Sequence, residues 1–182
     1  MKVIGVVGFP ASGKGEFSRI AAEEGIPIVV MGDVIREAVQ EEGIPATDAN
    51  LGAVANRLRR EEGMDAIARR SLSRIRACGA PLVLVDGIRG DAEVSLFRRE
   101  FPGFFLVGID APFEDRLERL SQRGREDDFS LPSQLEERDR REMGWGLGKA
   151  FSSADYTLSN AGTLEEFSRA ARALLRGIRE DP

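Results

Sequence analysis

The stretch that decides the fold is Val3-Ile4-Gly5-Val6-Val7-Gly8-Phe9-Pro10-Ala11-Ser12-Gly13-Lys14-Gly15. A short apolar run ends in a glycine-rich turn, and an amphipathic segment from Lys14 to Glu24 follows at helical period. The turn satisfies G-x-x-x-x-G-K, with Gly15 where a Ser or Thr ordinarily stands. This spacing has a physical cause. Glycines let successive backbone N–H groups turn inward around a phosphate, and the helix that follows presents its positive end to the same point. Lys14 then reaches the outer phosphates as a compact charge. Strand, loop and helix in this order predict a nucleotide-binding loop made of Gly8, Pro10, Ala11, Ser12, Gly13, Lys14, Gly15 and Glu16. A dinucleotide-binding G-x-G-x-x-G is absent, so that reading fails.

Outward from the loop, short apolar runs alternate with longer amphipathic segments, the pattern of an α/β domain with a parallel sheet. Strands are expected at Val3–Val7, Ile26–Val30, Pro81–Val85, Phe104–Ile109 and, more weakly patterned, Tyr156–Leu158. Helices are expected at Lys14–Glu24, Asp33–Glu42, Asp48–Glu62, Asp65–Ala77, Asp91–Glu100, Pro112–Arg123, Pro132–Glu142 and Leu164–Arg179. The 182 residues contain no linker long enough to divide them, which predicts one domain over 1–182. Glu-Glu-Gly recurs at 23–25, 41–43 and 61–63 and reads as a helix stop, with Gly free to turn left-handed at the end. Thr163 reads as a helix N-cap with Glu166 completing a capping box.

Composition removes several function classes. There is no histidine, which excludes a Ser-His-Asp triad, a Cys-His dyad and a His-ligated metal. Cys78 is the sole cysteine, so the chain has no internal disulfide and no thiolate metal cluster. The net charge of −5 argues against nonspecific nucleic-acid binding as the main task. Apolar runs are too short to span a membrane, and Val3 to Phe9 makes a poor signal peptide because Lys14 interrupts it with no cleavage pattern after it. A cytoplasmic protein is expected. Only Lys2, Lys14 and Lys149 are lysines among 26 basic residues, so a Lys inside the glycine loop invites a chemical explanation.

Further motifs accompany the loop. Met31-Gly32-Asp33-Val34-Ile35-Arg36 follows the second strand, and Asp86-Gly87-Ile88-Arg89 follows the third. Arg119 and Arg123 form Arg-x-x-x-Arg, then come Arg125-Glu126-Asp127-Asp128, with Arg138 on the next helix. Between Arg116 and Glu142 seven arginines face eight acidic residues, so this is no simple basic patch. Each motif also has a plainer reading: Asp33 as a helix cap, Arg36 on a solvated face, Asp86 capping a turn, the arginines in surface ion pairs.

With these motifs the chain resembles the nucleotide kinases of the P-loop fold over nearly its whole length. It is identified as a member of an archaeal P-loop nucleotide kinase-like family, similar to both adenylate kinase and dephospho-CoA kinase. Gly-x-Pro-x-x-Gly-Lys-Gly is the adenylate kinase loop, although Glu16 stands where Thr is usual there. Ala154 to Asn160 resembles the end of dephospho-CoA kinases, where the loop passes the adenine. The resemblance implies a three-layer α/β P-loop NTPase fold of nucleoside monophosphate kinase type. It implies five parallel strands in the order 2-3-1-4-5, a helical acceptor-binding insertion near 33–78 and a lid near 123–142. It implies ATP and Mg²⁺ as cofactors, with Lys14, Asp33, Asp86, Arg123 and Arg138 catalytic and Arg119 and Arg123 beside the nucleotide. Asp33, Arg36 and Arg89 would hold the acceptor, and Asp86 would hold the metal through water.

The function so implied is transfer of the ATP γ-phosphoryl group to a small nucleotide-like acceptor, with no membrane partner. A dephospho-CoA kinase with a hydroxyl acceptor and a nucleotide-dependent switch or assembly ATPase remain alternatives. The residues leave open the acceptor, the donor base (ATP or GTP) and the oligomeric state.

Overall fold

Along β1 (Lys2–Val7) the side chains alternate, Val3 and Val7 to one face, Ile4 and Val6 to the other, and all four are fully buried. A strand apolar on both sides must be covered on both sides. The computed structural model, which describes residues 1–123 and 131–181, satisfies this with a five-stranded sheet in the order β2-β3-β1-β4-β5. The other strands are β2 (Ile28–Val30), β3 (Leu82–Ile88), β4 (Gly103–Asp110) and β5 (Tyr156–Ser159), and every pairing is parallel. The order is the one expected. On the Ile4 face lie α1 (Lys14–Glu23) and α9 (Leu164–Glu180), packing Phe17, Ile20, Phe167, Leu175 and Ile178 against Leu84, Val107 and Ile109. Residues of α2 (Gly32–Glu41), α3 (Asp48–Glu62), α4 (Ala66–Ala77), α5 (Asp91–Glu100) and α8 (Leu147–Ser152) fill the Val3 face. There Phe97 stacks on Phe104 with ring centroids 5.7 Å apart. The remaining helices, α6 (Phe113–Arg123) and α7 (Pro132–Gly144), flank residues 124–130.

Local chemistry sets the boundaries. Thr163 caps α9, accepting from the Glu166 N–H, while the Glu166 carboxylate accepts from Thr163 N–H at 2.9 Å. Gly25, Gly43 and Gly63 all take positive φ after α1, α2 and α3, as the Glu-Glu-Gly reading requires. The acidic pairs themselves are anchored from elsewhere: Arg172 of α9 reaches Glu23 and Glu24, Arg57 reaches Glu42, and Arg70 reaches Glu62. Ion pairing from neighbouring helices offsets the unfavourable dipole at those helix ends.

Three boundaries differ from expectation. β2 begins at Ile28 because the Ile26 N–H turns back to the Ala21 carbonyl and Pro27 has none to offer. Asp33 does not cap α2. The helix starts at Gly32 after Met31, and Asp33 sits in its first turn, bonded to Arg36 Nη1 at 2.6 Å. The short helix α8 follows Gly146, whose φ of 95° and αL geometry break the chain direction after α7. The expected lid residues Arg125, Glu126, Asp127 and Asp128, and the Arg123 side chain, lie outside the described residues.

β3 runs past Asp86 to Ile88. Opposite β1 its register shifts, with Val6 facing Asp86 and Val7 facing Ile88, so Gly87 is the extra residue of a bulge with φ 99°. An added Cβ at Gly87 would find open space, its nearest neighbour 3.9 Å away, so only the backbone conformation demands glycine. Gly87→Ala is therefore expected to lower stability by about 1–2 kcal/mol, the cost of that backbone region for an L side chain. Urea unfolding with an unchanged midpoint would contradict the assignment.

Candidate functional site

The loop leaves β1 at Gly8 and enters α1 at Lys14, and its geometry rests on close approaches. A Cβ on Gly8 would lie 2.4 Å from the Ile109 carbonyl oxygen, and one on Gly13 would lie 2.2 Å from Asn160 Nδ2. Gly13 has φ 114° and Ala11 φ 60°, so consecutive amides reverse direction as the motif requires. Asn160, buried after β5, donates from Nδ2 to the Ser12 carbonyl at 2.9 Å and so ties the loop to the far edge of the sheet. Arg119 adds a second tie, donating to the Asn160 carbonyl at 2.7 Å and to the Ala11 carbonyl at 3.5 Å. Arg116 makes a third, reaching the Pro10 carbonyl at 3.2 Å while paired with Asp139 of α7 at 2.7 and 3.0 Å.

Lys14 is buried, and its Nζ donates to the Gly8 and Phe9 carbonyls at 2.7 and 2.8 Å. Desolvation and the Arg89 guanidinium lower its pKa from 10.5 to about 7, against the opposing pull of Glu142 and Asp86. Its sign is the reverse of a surface lysine. Between about 7 and 10.5 the unfolded chain binds the proton that the folded chain gives up, so this group adds stability as pH rises through that window. An anion placed at Nζ would draw the proton back.

Asp86 ends the apolar part of β3 and accepts from Ser18 Oγ at 3.0 Å. The same hydroxyl lies 3.0 Å from the Lys14 carbonyl, so Ser18 stands between the loop and the carboxylate. The residue preceding Glu16 offers no side chain, and Ser18, one turn further into α1, supplies the only hydroxyl contact to Asp86 among the described residues. Glu16 is held by Arg19 at 2.6 Å, which lowers its pKa and turns it along the helix.

Opposite the loop, α7 returns across the cleft. Glu142 is fully buried and bonds Arg89 and, at 3.2 Å, Arg138. Burial raises its pKa, but Arg89, Arg138 and Lys14 together outweigh that and hold it below the ordinary carboxylate value. Arg141 Nη2 meets both oxygens of Asp48 at 2.9 Å, and Arg138 lies 3.4 Å from the same carboxylate. Beneath them Arg59 and Glu93 form a buried ion pair at 2.9 Å. The other Glu93 oxygen accepts the Arg89 and Gly90 amides at 2.7 and 3.2 Å.

A cleft of about 530 Å³ joins these parts. Pro10, Ala11, Gly13, Lys14, Gly15, Glu16, Arg36, Asp86, Arg89, Arg119 and Arg138 line it, so most of the sequence-predicted residues share one cavity. Asp33 is not among its lining residues. It is half exposed at the mouth with its carboxylate on Arg36. Gly8 and Ser12 shape the loop from behind. Sequence reasoning missed Ser18, Arg59, Arg116, Arg141, Glu142, Trp145 and Asn160. Arg116 and Asn160 lay in stretches already singled out, and none has a spacing signal of its own.

Comparison with known proteins places this geometry. Residues 4–143 match the family described as an AAA domain. A UPF0200 protein of Methanoculleus marisnigri is 61% identical over 96% of this chain and 96% of its own length. A gluconokinase from Sinorhizobium meliloti shares the fold with a TM-score of 0.60 at 24% identity, covering 98% of this chain and 94% of that one. A shikimate kinase from Bacteroides thetaiotaomicron does so with 0.61 at 13% identity, covering 99% of each. The chain belongs to the UPF0200 family, with a P-loop kinase-like fold. Among the described residues no helix is long and apolar enough to cross a membrane.

The Asn160 tie is testable by itself. Asn160→Ala leaves the Ser12 carbonyl without that donor in a buried setting, and a loss of about 1–3 kcal/mol is expected in equilibrium unfolding. A variant as stable as the wild type would mean that the loop holds its shape without β5.

Proposed function

We propose that this UPF0200 protein transfers the γ-phosphoryl group of ATP to a small nucleotide-like acceptor. The observation that carries the reading is the extended cleft. The glycine loop, Lys14 and Asp86 line it together with Arg89 and Arg138, whose charges reach Lys14, and it continues along Arg36 of α2, Arg59 of α3 and Arg141 of α7. A nucleotide switch needs the first part alone.

The residues fit a magnesium ion that keeps most of its water. Asp86, oriented by Ser18, is one carboxylate at the mouth of the loop, and among the described residues no cluster of three potential ligands forms an all-protein cage. Mg²⁺ characteristically binds through one or two carboxylates plus substrate phosphates. When bound, the ion neutralises charge on the phosphate oxygens. Asp86 would hold it through water, as the residue at the end of a P-loop strand can.

The chain's own part is positioning. Lys14 would exchange the Gly8 and Phe9 carbonyls for phosphate oxygens, and the amides at the start of α1 would receive the same group. A loose phosphoryl transition state leaves little covalent chemistry for the protein, so fixed cations near the migrating charge dominate. Arg138, Arg89 and, from the lid segment near 123–142, Arg123 are the proposed cations, with Arg119 at the nucleotide. The helices of 33–78 would receive the acceptor, within a single domain. Asp33 does not line the cleft and its carboxylate is taken by Arg36, so an acceptor oxygen that is already ionised, as on a nucleoside monophosphate, suits this site better than a hydroxyl needing a base.

Release of ADP across a panel of nucleoside monophosphates and dephospho-CoA tests the reading. Lys14→Ala should reduce acceptor-dependent turnover by roughly 10²–10³-fold with the fold intact. Near-wild-type turnover would remove the loop from the chemistry. Steady ATP hydrolysis indifferent to every acceptor would favour the switch instead.

Asp33→Asn should cost only a few-fold in kcat. A crippled Asp33→Asn with normal nucleotide binding would make Asp33 a general base and the acceptor a hydroxyl, as in the dephospho-CoA kinase reading.

A further inference from the structure

Arg59 and Arg141, which line the cleft, carry buried donors with no acceptor among the described residues. Arg59, on the last turn of α3, is 4% exposed, and only Nη2 is engaged, on Glu93 at 2.9 Å. Its Nε and Nη1 are buried with no acceptor among the described residues, and so is Nε of Arg141. Burial of an unanswered N–H is costly, and native structures rarely tolerate it without a reason. Neighbouring carboxylates cannot turn to help. Glu93 is fixed by the Arg89 and Gly90 amides through its second oxygen, and Asp48 has both oxygens on Arg141 Nη2.

The two guanidinium groups lie against one aromatic ring. The Arg59 Cζ lies 4.1 Å from the Trp145 ring centroid and the Arg141 Cζ 5.8 Å from it, while Trp145 Nε1 is tethered to Asn56 at 2.7 Å. Stacking engages the guanidinium faces and leaves the N–H edges for hydrogen bonds. Gly52 permits the arrangement, since a Cβ there would sit 2.9 Å from the Arg141 guanidinium. Arg59, Arg141, Gly52 and Trp145 all line the cleft, beside the apolar wall of Leu51, Ala55 and Ile67. Arg36, the expected anchor for the acceptor, lies at the mouth with its guanidinium on Asp33, about half exposed.

We propose that Arg59 and Arg141, both against Trp145, form an oxyanion subsite where a carboxylate or phosphate of the acceptor docks, its apolar body lying on the α3–α4 wall. This assignment of the ligand as the acceptor rests on the phosphotransferase reading above. The subsite recognises a planar or tetrahedral oxyanion through guanidinium edges, a geometry that a lysine cannot reproduce.

Trp145 is the sole tryptophan, so its emission reports this subsite directly. The intact chain is titrated with inorganic phosphate and, separately, with malonate. A saturable change in emission is expected with at least one of them; phosphate alone or malonate alone names the anion that the subsite takes. Arg59→Lys keeps a cation toward Glu93 but gives up the Nε and Nη1 edge, and should weaken the response about 10- to 100-fold. Arg141→Gln, at a less buried position, should weaken it likewise and serves if Arg59→Lys fails to fold. Lys14→Ala should leave the response in place. A response lost in Lys14→Ala but intact in Arg59→Lys would put the anion at the glycine loop and overturn the proposal. So would the lack of any saturable change with either probe. An intact anion response in a protein that transfers no phosphoryl group would instead overturn the phosphotransferase reading and leave the subsite standing.

Discussion

A buried ammonium with no carboxylate of its own is the constraint around which the cleft is built. Lys14 is largely withdrawn from water, and a charge in that position is costly unless hydrogen-bonded. The loop solves this by bending back, so that the Gly8 and Phe9 carbonyls receive Nζ at 2.7 and 2.8 Å. Those carbonyls are available only because the chain takes positive φ at Ala11 and Gly13. That turn in turn needs the space that Asn160 and Ile109 leave beside two glycines. Thus β5 and the end of β4, more than a hundred residues away, shape the loop that β1 begins.

The arginines across the cleft obey the same rule. Each is a buried or half-buried cation facing a carboxylate: Glu93 for Arg59, Glu142 for Arg89, Glu142 and Asp48 for Arg138, Asp48 for Arg141, Asp139 for Arg116. Such pairs contribute little net stability, because desolvation offsets much of the attraction, and breaking one partner is expensive. Their effect is positional. Glu142 places two guanidinium groups near Lys14, close enough for each to depress its pKa. Cations that repel one another across an empty cleft are stabilised by any anion that enters it, which is how a fixed polar site lowers the barrier to moving a phosphoryl charge.

Much of this was legible in the sequence. The strand–loop–helix order announced the glycine loop between β1 and α1, apolar runs located the first four strands, and a weaker pattern marked β5. The glycine stops after α1, α2 and α3 and the Thr163–Glu166 cap were readable because they are local chemistry. What escaped was non-local. Asn160 and Ser12 are 148 residues apart, and Arg59 and Glu93 are 34 apart, with no periodicity linking either pair. Trp145 precedes, and α8 follows, a glycine whose αL turn no apolar pattern announces. At Asp33 a carboxylate at a helix start reads equally as a cap or a base, and the cap reading fails. The structure instead turns it toward Arg36. The Glu-Glu pairs at three helix ends made no sense until the partner arginines on other helices were in view.

The most direct test is the titration of Lys14 itself. The chain has only three lysines, so side-chain nitrogen resonances of a ¹⁵N-lysine-labelled sample resolve each of them. Without nucleotide, one resonance should titrate near 7, and Lys14→Ala should remove it. Saturation with Mg²⁺ and ATP or ADP should move that midpoint well up toward the ordinary lysine range, because phosphate oxygens replace carbonyls at Nζ. Three lysines that all titrate near 10 in the free protein, or a low midpoint untouched by saturating nucleotide, would contradict the account.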